Sequence, residues 1–137
     1  MREIVLPALR EVGTNRDDLL EIGFDATALE RIELPELRRV NGALGIVAAG
    51  GLHTLDMSSL EVVRGEFGLA NLPRLVDLRT PDQLRTEAGV TYEYLCVLPA
   101  IDLPDAPVSS GREPRIRDVG CCTYSATQCE SSFCECP

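Results

Sequence analysis

The sequence predicts an all-β fold: a short parallel β-solenoid with leucine-rich coils of about 23 residues, followed by an irregular cysteine-rich tail. Three observations point there. The chain aligns with itself at a spacing of about 23 residues. Each repeat holds two short apolar-x-apolar pieces, whose period of two suits a strand. The composition is aliphatic, with 45% apolar residues but only three Phe, three Tyr and no Trp, as a stacked Leu/Ile/Val core requires.

Ile32-Glu33-Leu34 corresponds to Leu55-Asp56-Met57, and Leu37 and Val40 to Leu60 and Val63. Leu44-Gly45-Ile46 corresponds to Phe67-Gly68-Leu69 and then to Val90-Thr91-Tyr92, while Leu52, Leu75 and Leu98 form one row. Nearer the start, Ile4-Val5-Leu6 matches Ile32-Glu33-Leu34 at a wider spacing, with Leu9 and Val12 opposite Leu37 and Val40. A polar insertion over 14–18 displaces Leu20-Glu21-Ile22 from strict register. Three-residue strands cannot stand alone, but stacked coils make parallel sheets around one core. The spacing therefore predicts roughly three coils over 4–98, with Ile32, Leu34, Leu44, Ile46, Leu55, Met57, Phe67, Leu69, Val90 and Tyr92 inward.

Gly42 and Gly65 fall at one corner, where positive φ is expected to turn the chain. Pro7 and Pro35 follow the first strand of their coils, where a missing donor is tolerated. The competing architecture is a leucine-rich α/β repeat, since Leu34, Leu37 and Val40 have a spacing that one helical turn also satisfies. The organisation expected is a solenoid over 1–98, a Pro/Gly-containing linker over 99–120 and a cysteine-rich segment over 121–137.

Leu29-Glu30-Arg31-Ile32-Glu33-Leu34, Val40-Asn41-Gly42-Ala43-Leu44-Gly45-Ile46 and Leu69-Ala70-Asn71-Leu72-Pro73-Arg74-Leu75 together resemble the receptor L-domain family. These are the right-handed β-helical domains of insulin- and epidermal-growth-factor-type receptors and related microbial surface proteins. The likeness covers about 4–98. The module is shorter than a full receptor domain, and Ala49-Gly50-Gly51 stands where an Asn-rich turn is usual. The resemblance implies recognition of a protein or a glycan, in a cell-envelope or extracellular setting, and carries over no catalytic residues.

A net charge of −9 argues against a nucleic-acid partner, which needs clustered Lys/Arg, and disfavours adsorption to an anionic membrane. No apolar run is long enough for a membrane span, so direct insertion is not expected. The first residues lack the apolar run of a secretory signal, which fits a cytosolic start, a fragment and a mature form alike. His53 is the lone histidine and reads as a turn residue, so no multi-His metal site is expected. Asp17-Asp18 and the pair Glu21/Asp25 are the only carboxylate pairs considered as general acid and base, and they sit beside the polar insertion, facing water. Ala49-Gly50-Gly51 lacks the Lys-Ser/Thr of a phosphate loop. No enzyme activity and no cofactor are expected. Glu33, Asp56 and Arg79, equivalent outward positions in successive coils, form the candidate binding face.

Six cysteines remain: Cys96, Cys121, Cys122, Cys129, Cys134 and Cys136. Three chemistries compete for them. In the first they form three disulfides, with Cys96 anchoring the tail to the last coil and Cys121 and Cys122 taking different partners. In the second they hold Zn or Cu(I), although neither Cys121-Cys122 nor Cys134-x-Cys136 has the two-residue gap of a zinc knuckle. In the third, 121–137 is the core of a ribosomally synthesised, modified peptide, with Val119-Gly120 as processing boundary. The solenoid is then the leader read by modifying enzymes in the cytoplasm, before export.

Overall fold

In the computed structural model the described residues are 2–15, 17–23, 27–81, 83–98, 103 and 111–119, and among them every regular element is a strand. Thirteen strands run in chain order. β1 (Glu3–Val5), β4 (Arg31–Glu33), β7 (Thr54–Asp56) and β10 (Asp77–Arg79) form the first sheet. β2 (Glu11–Val12), β5 (Arg39–Val40), β8 (Val62–Val63) and β11 (Arg85–Thr86) form the second. β3 (Leu19–Gly23), β6 (Ala43–Val47), β9 (Glu66–Ala70), β12 (Gly89–Leu95) and β13 (Arg115–Val119) form the third. All pairings are parallel. The chain is a β-solenoid of about four turns of roughly 23 residues.

The register is the one that the self-alignment predicts. Ile32 pairs with Leu55, Val40 with Val63, Leu44 with Phe67 and Phe67 with Val90. Inward rows follow, and the ten side chains expected inward are all buried, none more than 3% exposed. Burying each such aliphatic side chain is worth roughly 1.5–3 kcal/mol, set against roughly 1–2 kcal/mol per ordered residue of backbone entropy. Phe67 and Tyr92 meet edge to face, with ring centroids 6.0 Å apart.

The structure differs from the expectation in two respects. First, there are four coils in register, because Ile4 pairs with Ile32 and Val12 with Val40 despite the insertion. All but one of the extra residues lie between β2 and β3, and the strands are left undisturbed. Gly13 turns there at φ 84°. Asp18 closes the loop by accepting the Thr14 N–H at 2.6 Å and the Asn15 N–H at 3.1 Å. Second, the third sheet continues past Leu98, since β13, within the segment read as linker, pairs with β12 through Thr91–Arg115 and Leu95–Val119.

As the solenoid requires, and against the competing α/β repeat, the i, i+3 leucines mark turns rather than helices among the described residues. The N–H of Leu9 donates to Leu6 O, that of Leu37 to Leu34 O and that of Leu60 to Met57 O. The same bond recurs at another corner as Leu52 to Ala49, Leu75 to Leu72 and Leu98 to Leu95. A two-residue turn between inward side chains leaves both pointing to the core, which a sequence pattern cannot tell from a helical turn.

Gly42 and Gly65 are required by close approach and not by positive φ. A Cβ on Gly42 would stand 2.0 Å from Asp18 O, and one on Gly65 2.5 Å from Ala43 N. The positive-φ position recurs at Ala48 (54°) and Asn71 (55°), each just after a strand of the third sheet, and at the equivalent Tyr94 (57°), within β12. Asn tolerates the left-handed region, whereas Ala costs about 1 kcal/mol there relative to Gly. Replacing Ala48 by Gly should therefore raise stability by up to about 1 kcal/mol, less the entropy that Gly loses on folding, measured by urea unfolding.

Candidate binding faces

A parallel strand points alternate residues outward, so each sheet offers rows of equivalent side chains along the solenoid. On the first sheet Glu33, Asp56 and Arg79 form one such row, through the pairings Glu33–Asp56 and Asp56–Arg79. The adjacent row is Glu3, Arg31, Thr54 and Asp77. The structure thus brings the three residues together, and its geometry ties them up locally. Arg79 makes a two-pronged pair with Asp77, at 3.3 Å from Nε and 3.0 Å from Nη2. That hydrogen bond, and then the charge of Asp77, hold the guanidinium above its usual range, with smaller contributions from Asp56 and Glu33. Arg31 pairs with Glu33 at 3.3 Å, and Asp56 accepts the Ser58 N–H at 3.0 Å at the corner. Exposed pairs of this kind contribute little stability, and the face has the character of a solvated surface.

Of the carboxylates considered for acid–base work, Asp17, Asp18 and Glu21 are among the described residues. Asp18 is engaged by the insertion loop, where the Thr14 and Asn15 N–H groups hold its carboxyl below the usual carboxylate range. Stability from a depressed carboxylate is present above its unfolded value and is lost as pH falls through the folded one. Asp17 N–H donates to Asn15 Oδ1, Glu21 stands outward on β3, and Asp25 lies outside the described residues. His53 is exposed at a corner, its backbone bonded to Glu30, Val76 and Asp77. Among the described residues no three His, Cys, Asp or Glu side chains are placed to hold a metal. An open groove of about 350 Å³ at the corner of the first two sheets is lined by Arg38, Ser58, Glu61 and Gln83, with Arg38 and Glu61 paired at 3.6 Å.

Cys96 is 1% exposed, directly after β12, and its Sγ lies 3.9 Å from Tyr94 O. Cys121, Cys122, Cys129, Cys134 and Cys136 all lie outside the described residues. Val119, read as a processing boundary, is the last paired residue of β13.

The third sheet carries a face that the sequence reading passed over. Its outward rows are Glu21, Gly45, Gly68, Thr91 and Arg115; Gly23, Val47, Ala70, Glu93 and Arg117; and Leu19, Ala43, Glu66 and Gly89. Glycine weakens a strand, so it needs a reason. Gly42, Gly51 and Gly65 have one, a neighbouring backbone atom within 2.5 Å of a Cβ; Gly45 and Gly68 do not. A Cβ on Gly45 would first meet Val47 Cγ2 at 3.6 Å, and one on Gly68 Thr91 O at 3.9 Å, both ordinary contacts. Neither glycine has a positive φ. The fold leaves room for a methyl group at both; Gly45 is buried beside the Glu21 and Val47 side chains, and Gly68 is half-buried, so the row is a shallow trough with Glu21 at one end and Arg115 at the other. Over four rung spacings that trough is about 19 Å long. Arg112 and Arg115 reach back to Glu66 and Glu93 at 3.4 and 3.9 Å, and Arg117 lies over the Tyr94 ring at 5.6 Å. The signal was present as Gly in the x position of two successive apolar-x-apolar pieces.

Comparison of the chain with protein-family models, curated proteins and solved structures finds no match. The contrast between the two kinds of glycine is directly testable. Gly68→Ala should leave stability unchanged or raise it by about 0.5 kcal/mol, and Gly65→Ala should lower it by about 2 kcal/mol or more, in matched denaturant titrations.

Proposed function

We propose that this chain is a non-enzymatic recognition module of a cell-surface or secreted protein, contacting its ligand through the flat outer face of the third sheet. The observation that carries the reading is the pair Gly45 and Gly68, two strand glycines for which neither steric crowding nor backbone conformation gives a reason. A bare sheet lets another backbone or a flat ligand approach closely. The trough is acidic at Glu21 and basic at Arg115, an arrangement suited to an extended protein segment laid across the strands. The resemblance of 4–98 to receptor L-domains supports recognition of a protein or glycan, by analogy of fold. The first-sheet row of Glu33, Asp56 and Arg79 is the lesser candidate, because it carries a charged side chain at every position.

In this setting the cysteine-rich segment is a disulfide-stapled appendage. Cys96, Cys121, Cys122, Cys129, Cys134 and Cys136 form three bridges, stabilising a segment too poor in aliphatic residues for a core of its own. A closure of roughly 25 residues from Cys96 contributes on the order of 3 kcal/mol in the chain-entropy model. Intact mass of protein from its native source should rise by about 6 Da on reduction, one hydrogen per thiol. Losses of about 18 Da per dehydration that survive reduction would instead establish a modified-peptide precursor.

The binding face is tested with Gly68→Arg and Asp56→Lys, each confirmed to melt like the parent. Ligands are drawn from surface proteins of the native source by crosslinking and from a glycan array. Gly68→Arg should abolish capture of the ligand that the parent retains, while Asp56→Lys keeps it. Equal capture by the parent and Gly68→Arg would contradict the assignment.

A further inference from the structure

The asparagines of the chain are Asn15, Asn41 and Asn71, and of these Asn41 alone is followed by glycine. That neighbour matters chemically. A backbone nitrogen can attack the side-chain amide carbon of the asparagine before it, which is what makes asparagine thermolabile. A side chain on the attacking residue hinders the approach. Arg16 and Leu72 carry one; Gly42 does not.

In the folded chain this dipeptide is held on every side. Asn41 is 8% exposed. Its Nδ2 donates to Glu11 Oε1 at 2.6 Å and to Gly13 O at 2.8 Å, which occupies both amide hydrogens. The Asn41 N–H bonds Val12 O, the Ala43 N–H bonds Asp18 O and the Gly65 N–H bonds Gly42 O, each at 2.8 Å. All but the last of these bonds run to the first coil, so the reacting atoms cannot rotate toward each other while that coil is docked.

We propose that Asn41-Gly42 is a deamidation site gated by the first coil, closed while the coil is docked and reactive when it lifts. The step is internal to the chain. The Gly42 nitrogen gives its proton to solvent base and bonds to Asn41 Cγ, and the side-chain nitrogen leaves as ammonia with a proton from water. Water then opens the cyclic imide. Breaking the ring at the side-chain carbon leaves aspartate; breaking it at the backbone carbon leaves isoaspartate, with the main chain running through the former side chain. One water is consumed, one ammonia is released, and nothing is oxidised or reduced.

Neither product fits back into the corner. A carboxylate has no hydrogen to donate, so a new negative group faces the two acceptors that the amide served, Glu11 Oε1 and Gly13 O. Burying a charge against acceptors is costly. Arg39 stands beside Glu11 in the outward row of the second sheet but forms no ion pair with it, so no cation is already in place to offset the charge. Isoaspartate adds a main-chain carbon where a Cβ on Gly42 would already stand 2.0 Å from Asp18 O. The reaction thus follows from opening and prevents closing, which makes it a permanent record that the first coil has lifted.

The test is peptide mass mapping of the full chain after incubation at mildly alkaline pH, both native and in urea. Cleavage after arginine puts each asparagine in its own peptide: Asn15 in 11–16, Asn41 in 40–64 and Asn71 in 65–74. In urea the 40–64 peptide should turn from amide to acid and isoaspartate well ahead of the other two. In the native chain its conversion should be slower by about a hundredfold or more, since only the opened fraction reacts. The effect of the product is read by amide hydrogen exchange on Asn41→Asp. Protection in β1–β3 should fall by about tenfold or more while β7–β9 keep theirs, and adding Glu11→Gln, which offers the new carboxylate an N–H, should restore most of it. Equal rates in native and unfolded chain, conversion at Asn15 or Asn71 as fast as at Asn41 in urea, or an Asn41→Asp chain as protected as the parent would each overturn the proposal. None of these outcomes bears on the third-sheet face, which is read by the Gly68 variant.

Discussion

Successive coils stack at the spacing of parallel strands, about 4.8 Å, and at that distance every inward side chain rests on its equivalent above and below. The rest of the structure depends on this contact between like rows. Strands of two or three residues, such as Val62–Val63 and Asp77–Arg79, have no independent stability. They persist because the row beneath them, as in Ile32 under Leu55 or Val40 under Val63, is completely withdrawn from water. The corners obey the same constraint. Gly42 and Gly65 are glycine because stacked corners bring backbone to within 3 Å of where a Cβ would sit, and the Gly65 N–H bonds Gly42 O across the gap at 2.8 Å.

The constraint also shows where the chain is under tension. Three equivalent residues at the ends of third-sheet strands, Ala48, Asn71 and Tyr94, enter the left-handed region, and only Asn71 of the three is suited to it. Ala48 and Tyr94 carry that conformation because the coils above and below determine the path. Ala48 N–H bonds Ala70 O, and Asn71 N–H bonds Glu93 O, so the turn is secured by its neighbour one coil on. At the first corner Asn41 does related work from its side chain, donating from Nδ2 to Glu11 Oε1 at 2.6 Å and to Gly13 O at 2.8 Å. That bond pins the second coil to the loop that absorbs the insertion.

Much of this was legible in the sequence because stacking imposes one register, and a register is a spacing. The rows through Ile32, Leu44 and Leu52 could be read directly, and an insertion confined to one corner did not hide the first coil. What could not be read has physical reasons. A two-residue turn and a helical turn both place leucines at i and i+3. Glycine at a corner looks the same whether φ or crowding demands it. β13 has no leucine in it, and Ile116 is exposed, so nothing apolar and periodic announces its pairing with β12. The candidate face was chosen on charged outward residues, Glu33, Asp56 and Arg79, because charge is visible in a sequence. A face defined by missing side chains, as at Gly45 and Gly68, shows only once the crowded glycines are separated from the uncrowded ones.

Amide hydrogen exchange, resolved by residue, tests the stacked-row account most directly. If like rows hold the chain, protection should recur with the coil. The slowest amides should sit in β5–β9, on the N–H groups that bond across to the neighbouring coil, such as Gly65, and β1–β3, whose inward residues are only partly buried, should exchange soonest. Protection running continuously through 34–40 and 57–63, as helical turns would produce, or uniformly fast exchange across the central coils, would contradict it.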